Sequence, residues 1–154
     1  MQADFIDQIW PRTLGARLCG HHTAVSESRS ATFPASPASA REARSFLRQV
    51  LPDEAEPDLT DVILLLVTEL VTNAVVHART PVRVLVAIDG SRVRIDVHDD
   101  APSPPVRQPA SPESLNGRGL LLLDRLADRW GFEPSPSGKT VWFEVGGVVR
   151  EDAR

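Results

Sequence analysis

Val67-Thr68-Glu69-Leu70-Val71-Thr72-Asn73-Ala74-Val75-Val76-His77-Ala78 reads as an apolar helix carrying a carboxylate, a carboxamide and an imidazole at four-residue intervals. Residues four apart stack on one helical face. Glu69, Asn73 and His77 therefore form a polar line on a segment whose other positions, from Val62 to Val76, are mostly Leu, Val, Ile and Ala. Such a line has to face something polar. It suits the solvated stripe of an amphipathic helix, and it equally suits a cleft, where a carboxylate is a natural base.

Around this helix, 154 residues with 42% hydrophobic side chains fit one domain with one sizeable core. A net charge of -4 with scattered basic residues leaves no basic footprint, so direct nucleic-acid binding and an anionic membrane surface are not expected. The single cysteine, Cys19, excludes an intramolecular disulfide and suits a reducing compartment. Asp4 and Asp7 interrupt the first apolar residues, so no secretory signal is read and a cytoplasmic location is expected. The apolar runs Val62 to Val67 and Leu120 to Leu123 fall far short of the roughly 20 residues of a membrane span, so none is expected.

Outward from the helix, residues 1–28 lack a period and read as a loosely attached arm, 29–147 as the domain, and 148–154 as a tail. Arg29 to Phe33 reads as a strand ended by Pro34, and Ser39 as the cap of a helix through Ala43, Phe46, Leu47 and Val50. Asp58 or Thr60 is the expected cap of the long helix, from about Leu59 to Ala78. Val82 to Ile88 and Val93 to His98 alternate as strands around an Asp89-Gly90 turn. Ala101 to Asn116 is a loop rich in Pro and Ser. Gly117-Arg118-Gly119 then opens a helix that Gly131 ends, and Phe132 and Val141 to Val145 make a last hairpin around Pro134 to Gly138. This order predicts an α+β two-layer sandwich, a mostly antiparallel sheet with helices on one face, and no Rossmann-type parallel sheet.

Three further motifs carry chemistry. Asp99 ends a strand; it is either an ordinary acidic turn or a carboxylate held to accept from an exocyclic amine. Gly117-Arg118-Gly119-Leu120 offers bare N–H groups and a positive helix end, a natural phosphate cradle or simply a flexible helix entry. Gly138-Lys139-Thr140 is not a P-loop, because Glu133 stands where the first glycine belongs and a strand follows. Lys139 reads as an exposed turn residue, with the Thr140 hydroxyl pointing inward. Cys19, His21, His22 and His98 suggest no catalytic assembly.

The joint order of these elements resembles the GHKL ATPase superfamily with its Bergerat nucleotide-binding fold, and within it the single-domain anti-sigma-factor serine/threonine kinases and related ATP-binding regulators. The resemblance covers residues 29–145. Glu69-Leu70-Val71-Thr72-Asn73-Ala74 matches the N box, which implies Asn73 as ligand of the Mg2+ that bridges the phosphates and Glu69 as general base. Asp99 matches the aspartate that reads the adenine amine, and Ala101 to Asn116 matches the ATP lid. Gly117, Arg118, Gly119 and Leu120 match the glycine box, and Thr140 the threonine that supports the adenine site through water. Ala101 and Ser103 stand at the two glycine positions of the family's Asp-x-Gly-x-Gly pattern, with Ala101 at the edge of the nucleotide site.

The resemblance implies Mg-ATP binding and phosphoryl transfer to a serine of an anti-sigma-factor antagonist, with a sigma factor as second protein partner and a homodimer as in related kinases. The altered glycine positions motivate the alternative, a non-catalytic anti-sigma or partner-binding module that holds ATP structurally or not at all. No helical hairpin with a phosphoacceptor histidine precedes the domain, which disfavours a histidine kinase.

Overall fold

The computed structural model describes residues 27–101 and 118–148. Most of the expected arm, nearly all of the expected lid, Gly117 and residues 149–154 lie outside the described residues. The elements run β1 (Glu27–Phe33), α1 (Ser39–Val50), α2 (Pro57–Asn73) with a π-helical turn Ala74–Ala78, β2 (Val82–Asp89), β3 (Arg92–Asp99), α3 (Arg118–Leu126), β4 (Arg129–Ser135) and β5 (Gly138–Val145). The sheet order is β1-β2-β3-β5-β4, and every neighbouring pair is antiparallel. The α+β class read from the sequence is the one observed.

Period-two alternation decides which sheet face is apolar. Val84, Val86 and Ile88 of β2, Val97, Ile95 and Val93 of β3, and Val141, Phe143 and Val145 of β5 stand opposite one another in register. They are buried with Ile63, Leu66, Val67, Leu70 and Val71 of α2. Leu47 and Ala43 bring α1 into the same core, and Leu123 brings α3. Each such side chain contributes about 1.5–3 kcal/mol relative to exposure, so the seam between α2 and the sheet is the main stabilising contact. The continuous helix Pro57–Ala78 is long and apolar enough, by length and composition, to cross a membrane, which the short apolar runs did not lead one to expect. Ile63, Leu64, Leu66, Val67, Leu70 and Val71 take its apolar side into this packing, whereas Leu65 and Val76 are exposed.

Several local expectations are corrected. Ser39 is the first residue of α1 rather than its cap; its buried hydroxyl donates to the Pro34 carbonyl at 2.5 Å. Helix α2 begins on Pro57, whose missing N–H costs nothing in the first turn, and neither Asp58 nor Thr60 caps it. Gly131 lies inside β4, where an added Cβ would meet the Trp142 indole at 2.6 Å, while α3 has already ended at Leu126. The β2–β3 turn residues are Gly90 and Ser91, Asp89 being paired with Arg92, and Gly90 takes φ 57°. At the boundaries, Glu27 and Ser28 belong to β1. Val148 is fully buried rather than part of a tail: its N–H donates to Ser91 at 2.8 Å, and its carbonyl accepts from Glu56 at 2.7 Å.

Candidate functional site

The site is built at the C-terminal end of α2, where the helix leaves the core. Glu69 and Asn73 lie one turn apart and are half-buried. His77 is exposed and falls in the π-helical turn, where the i→i+5 spacing takes it off the line that strict four-residue spacing would draw. Asn73 Nδ2 faces the first turn of α3: a Cβ on Gly119 would come within 3.1 Å of it. A glycine here lets the helix start approach the carboxamide closely. Helix α2 and the start of α3 thus meet through Asn73 and Gly119, with Arg118 and Leu120 flanking the glycine in α3 and Gly117 outside the described residues.

The π-helical turn ends on Arg79, the one non-glycine residue at positive φ (55°) among the described residues. Immediately after it, Thr80 Oγ1 accepts from the Asp100 N–H at 3.0 Å, tying the end of the helix to the end of β3. Asp99 precedes this contact. Its register partners are Val82 on one side and Lys139 on the other, so it points to the helix-covered face of the sheet. It is only 4% exposed. Its Oδ1 accepts the Ala101 N–H at 3.1 Å, and its Oδ2 lies 3.8 Å from Lys139 Nζ. Burial pushes its pKa above the ordinary value of 3.8, and Lys139 and the Ala101 N–H pull the other way. A buried acceptor with a raised pKa suits a ligand that donates to it.

Ala101 stands where the family pattern has glycine, yet it is not among the residues at positive φ. The backbone does not require glycine there, and Ala101 instead supplies the N–H that orients Asp99. Ser103 lies outside the described residues.

Thr140 is brought elsewhere. Its register partner is His98, on the face turned away from the helices, and the two side chains share a 3.0 Å hydrogen bond. His98 Nε2 lies 3.3 Å from Asp100 Oδ1. Lys139, expected as an exposed turn residue, is the side chain that reaches Asp99, with 20% of its surface exposed. The signal was available: counting back by two from Val145 through Phe143 and Val141 arrives at Lys139, not Thr140.

The outer sheet face holds a second polar group. Arg94 Nε donates to Asp96 Oδ1 at 2.9 Å, Nη1 lies 3.6 Å from Glu144 Oε1, and the guanidinium stacks 4.2 Å from the Trp142 ring centroid. Arg94, Asp96 and Glu144 are all buried. In the sequence they read only as the polar half of an alternating strand.

Among known proteins, the histidine kinase-like ATPase domain matches residues 33–145. The chain belongs to that family. This ATPase domain also resembles the crystal structure of the RsbU and RsbW domains of Rv1364c from Mycobacterium tuberculosis, with TM-score 0.60 and 20% identity. The match covers 81% of this chain and 35% of the other, so the ATPase domain spans about a third of that protein's length. No curated protein matches the chain significantly. Family membership carries ATP binding with it; on this chain Gly119 lies against Asn73, and Asp99 is a buried carboxylate.

Proposed function

We propose that this domain is a serine/threonine protein kinase that binds Mg-ATP and phosphorylates an anti-sigma-factor antagonist, with a sigma factor as its other protein partner. The observation that carries the reading is the meeting of Asn73 with Gly119, one turn from Glu69 on the same helix. Asn73 would hold the metal, which would supply charge neutralisation for the phosphates. The first turn of α3 directs backbone N–H groups and the positive helix end toward phosphate oxygens. Glu69 takes the proton from the attacking serine hydroxyl as its oxygen bonds to the γ-phosphorus and the bond to the ADP oxygen breaks. Asp99 accepts from the adenine amine. Positioning and electrostatics do most of the work in such a transfer.

General-base help is worth about 10²–10⁴-fold. Glu69→Ala is therefore expected to lower phosphoserine formation on the antagonist by that factor while ADP affinity, measured by calorimetry, stays within error. Equal transfer rates in mutant and wild type would remove Glu69 from this role. The purely binding module drew its motive from Ala101 and Ser103. With Ala101 in ordinary backbone geometry and serving Asp99, half of that motive is gone. Labelled ATP with a panel of antagonists distinguishes the two, since a pure binder yields no phosphoserine.

A further inference from the structure

Lys139 sits where a nucleobase edge would be read. The register sets it directly across from Asp99 on the helix-covered face. Its backbone position is set by Gly138, whose φ of 148° and close approach to the Asp99 carbonyl leave no room for a Cβ. The strand start is thus pressed onto the end of β3, and Lys139 reaches toward Asp99. Its Nζ lies 3.8 Å from Asp99 Oδ2, beyond the 2.7–3.2 Å of a hydrogen bond. Asp99 Oδ1 is already engaged by Ala101, so Oδ2 is the oxygen turned toward the ammonium. An acceptor and a three-donor cation therefore stand side by side without closing on each other.

The Watson–Crick edge of adenine presents an adjacent pair of the complementary kind, the N6 amine as donor and N1 as acceptor. Building on the nucleotide-binding reading above, we infer that Lys139 is a second base-reading residue: it donates to adenine N1 while Asp99 Oδ2 accepts from N6. The ammonium takes a place that the sequence had assigned to the Thr140 hydroxyl, which faces the other side of the sheet. It also counters the upward push of burial on the Asp99 pKa.

The test compares affinities of ADP and 1-deaza-ADP, in which N1 is replaced by C–H, for the full chain and for Lys139→Met and Lys139→Arg, by calorimetry. Loss of a hydrogen bond to a charged group corresponds to about ten- to a hundredfold in affinity. The wild type is expected to prefer ADP by that factor, Lys139→Met to bind the two nucleotides equally, and Lys139→Arg to keep part of the preference. Equal binding of the two nucleotides by the wild type overturns the inference without any mutant having to fold. Retention of the preference in Lys139→Met also overturns it. So does tighter ADP binding with the preference unchanged, which would mean that Lys139 only competes for Asp99. If the wild type binds neither nucleotide at millimolar concentration, the nucleotide site itself is wrong and the inference falls with it; binding of both with no preference spares the site and removes Lys139 alone.

Discussion

The two faces of strands β3 and β5 each carry a buried carboxylate beside a cation, and they use it in opposite ways. On the outer face, Arg94 and Asp96 close to 2.9 Å, Glu144 stands behind, and Trp142 covers the guanidinium. On the helix-covered face, Asp99 and Lys139 stop at 3.8 Å. Burial raises the pKa of both aspartates despite their partners, so neither pair fully repays the desolvation of its carboxylate. The difference lies in geometry: the first pair closes into a hydrogen bond under Trp142, with Arg94 Nη2 left buried and without a hydrogen-bond partner, whereas the second leaves an acceptor and a donor side by side. Distance, rather than burial, separates the closed pair from the open one.

The contrast can be broken by removing each cation. Arg94→Ala leaves Asp96 and Glu144 buried without their guanidinium, and is expected to lower unfolding free energy by about 3–5 kcal/mol in urea titrations. Lys139→Ala is expected to cost less than about 1 kcal/mol, because the pair is long and partly solvated. Comparable losses would mean that the two pairs do the same structural job. Between these falls Gly138→Ala, which forces a side chain onto a positive-φ position against the Asp99 backbone. It is expected to cost about 2–3 kcal/mol and to weaken nucleotide binding along with stability. Loss of stability with unchanged ADP affinity would show that the β3–β5 approach does not shape the reading edge.

The smallest effect is in pH. Asp99 binds its proton more tightly folded than unfolded, so it favours the fold below about pH 3.8 and loses that contribution as pH rises through its raised folded value. Asp99→Asn should flatten this part of the stability curve. ADP affinity should run the other way and increase over the same window, because the ionised carboxylate is the better acceptor. Parallel curves for stability and affinity would contradict the role of Asp99.

Much of this was legible in the sequence because the signals were periodic. The β2–β3 hairpin, the apolar face of α2 and the pairing of Glu69 with Asn73 follow from counting by two or by four. What escaped was set by register across distant strands. No local pattern says that Arg94 meets Glu144, fifty residues on, or that Trp142 settles over Gly131. Thr140 was misplaced because its hydroxyl was weighed as chemistry before its parity with Val141 was counted. The caps failed for a related reason: Pro57 starts α2 as well as Asp58 or Thr60 could cap it, and Ser39 found a carbonyl outside its helix.

The π-helical turn Ala74–Ala78 gives the chain a spare residue just behind its metal-ligand candidate. An α-helical turn would need one residue fewer, so a single deletion between Val75 and Ala78 can be absorbed by tightening the coil. Everything upstream, Glu69 and Asn73 included, would keep its angular phase. Downstream, the Thr80 hydroxyl would keep its place against the Asp100 N–H. The wide turn thus takes up an extra residue between the helix that carries Asn73 and the Thr80 hydroxyl that is tied to the end of β3.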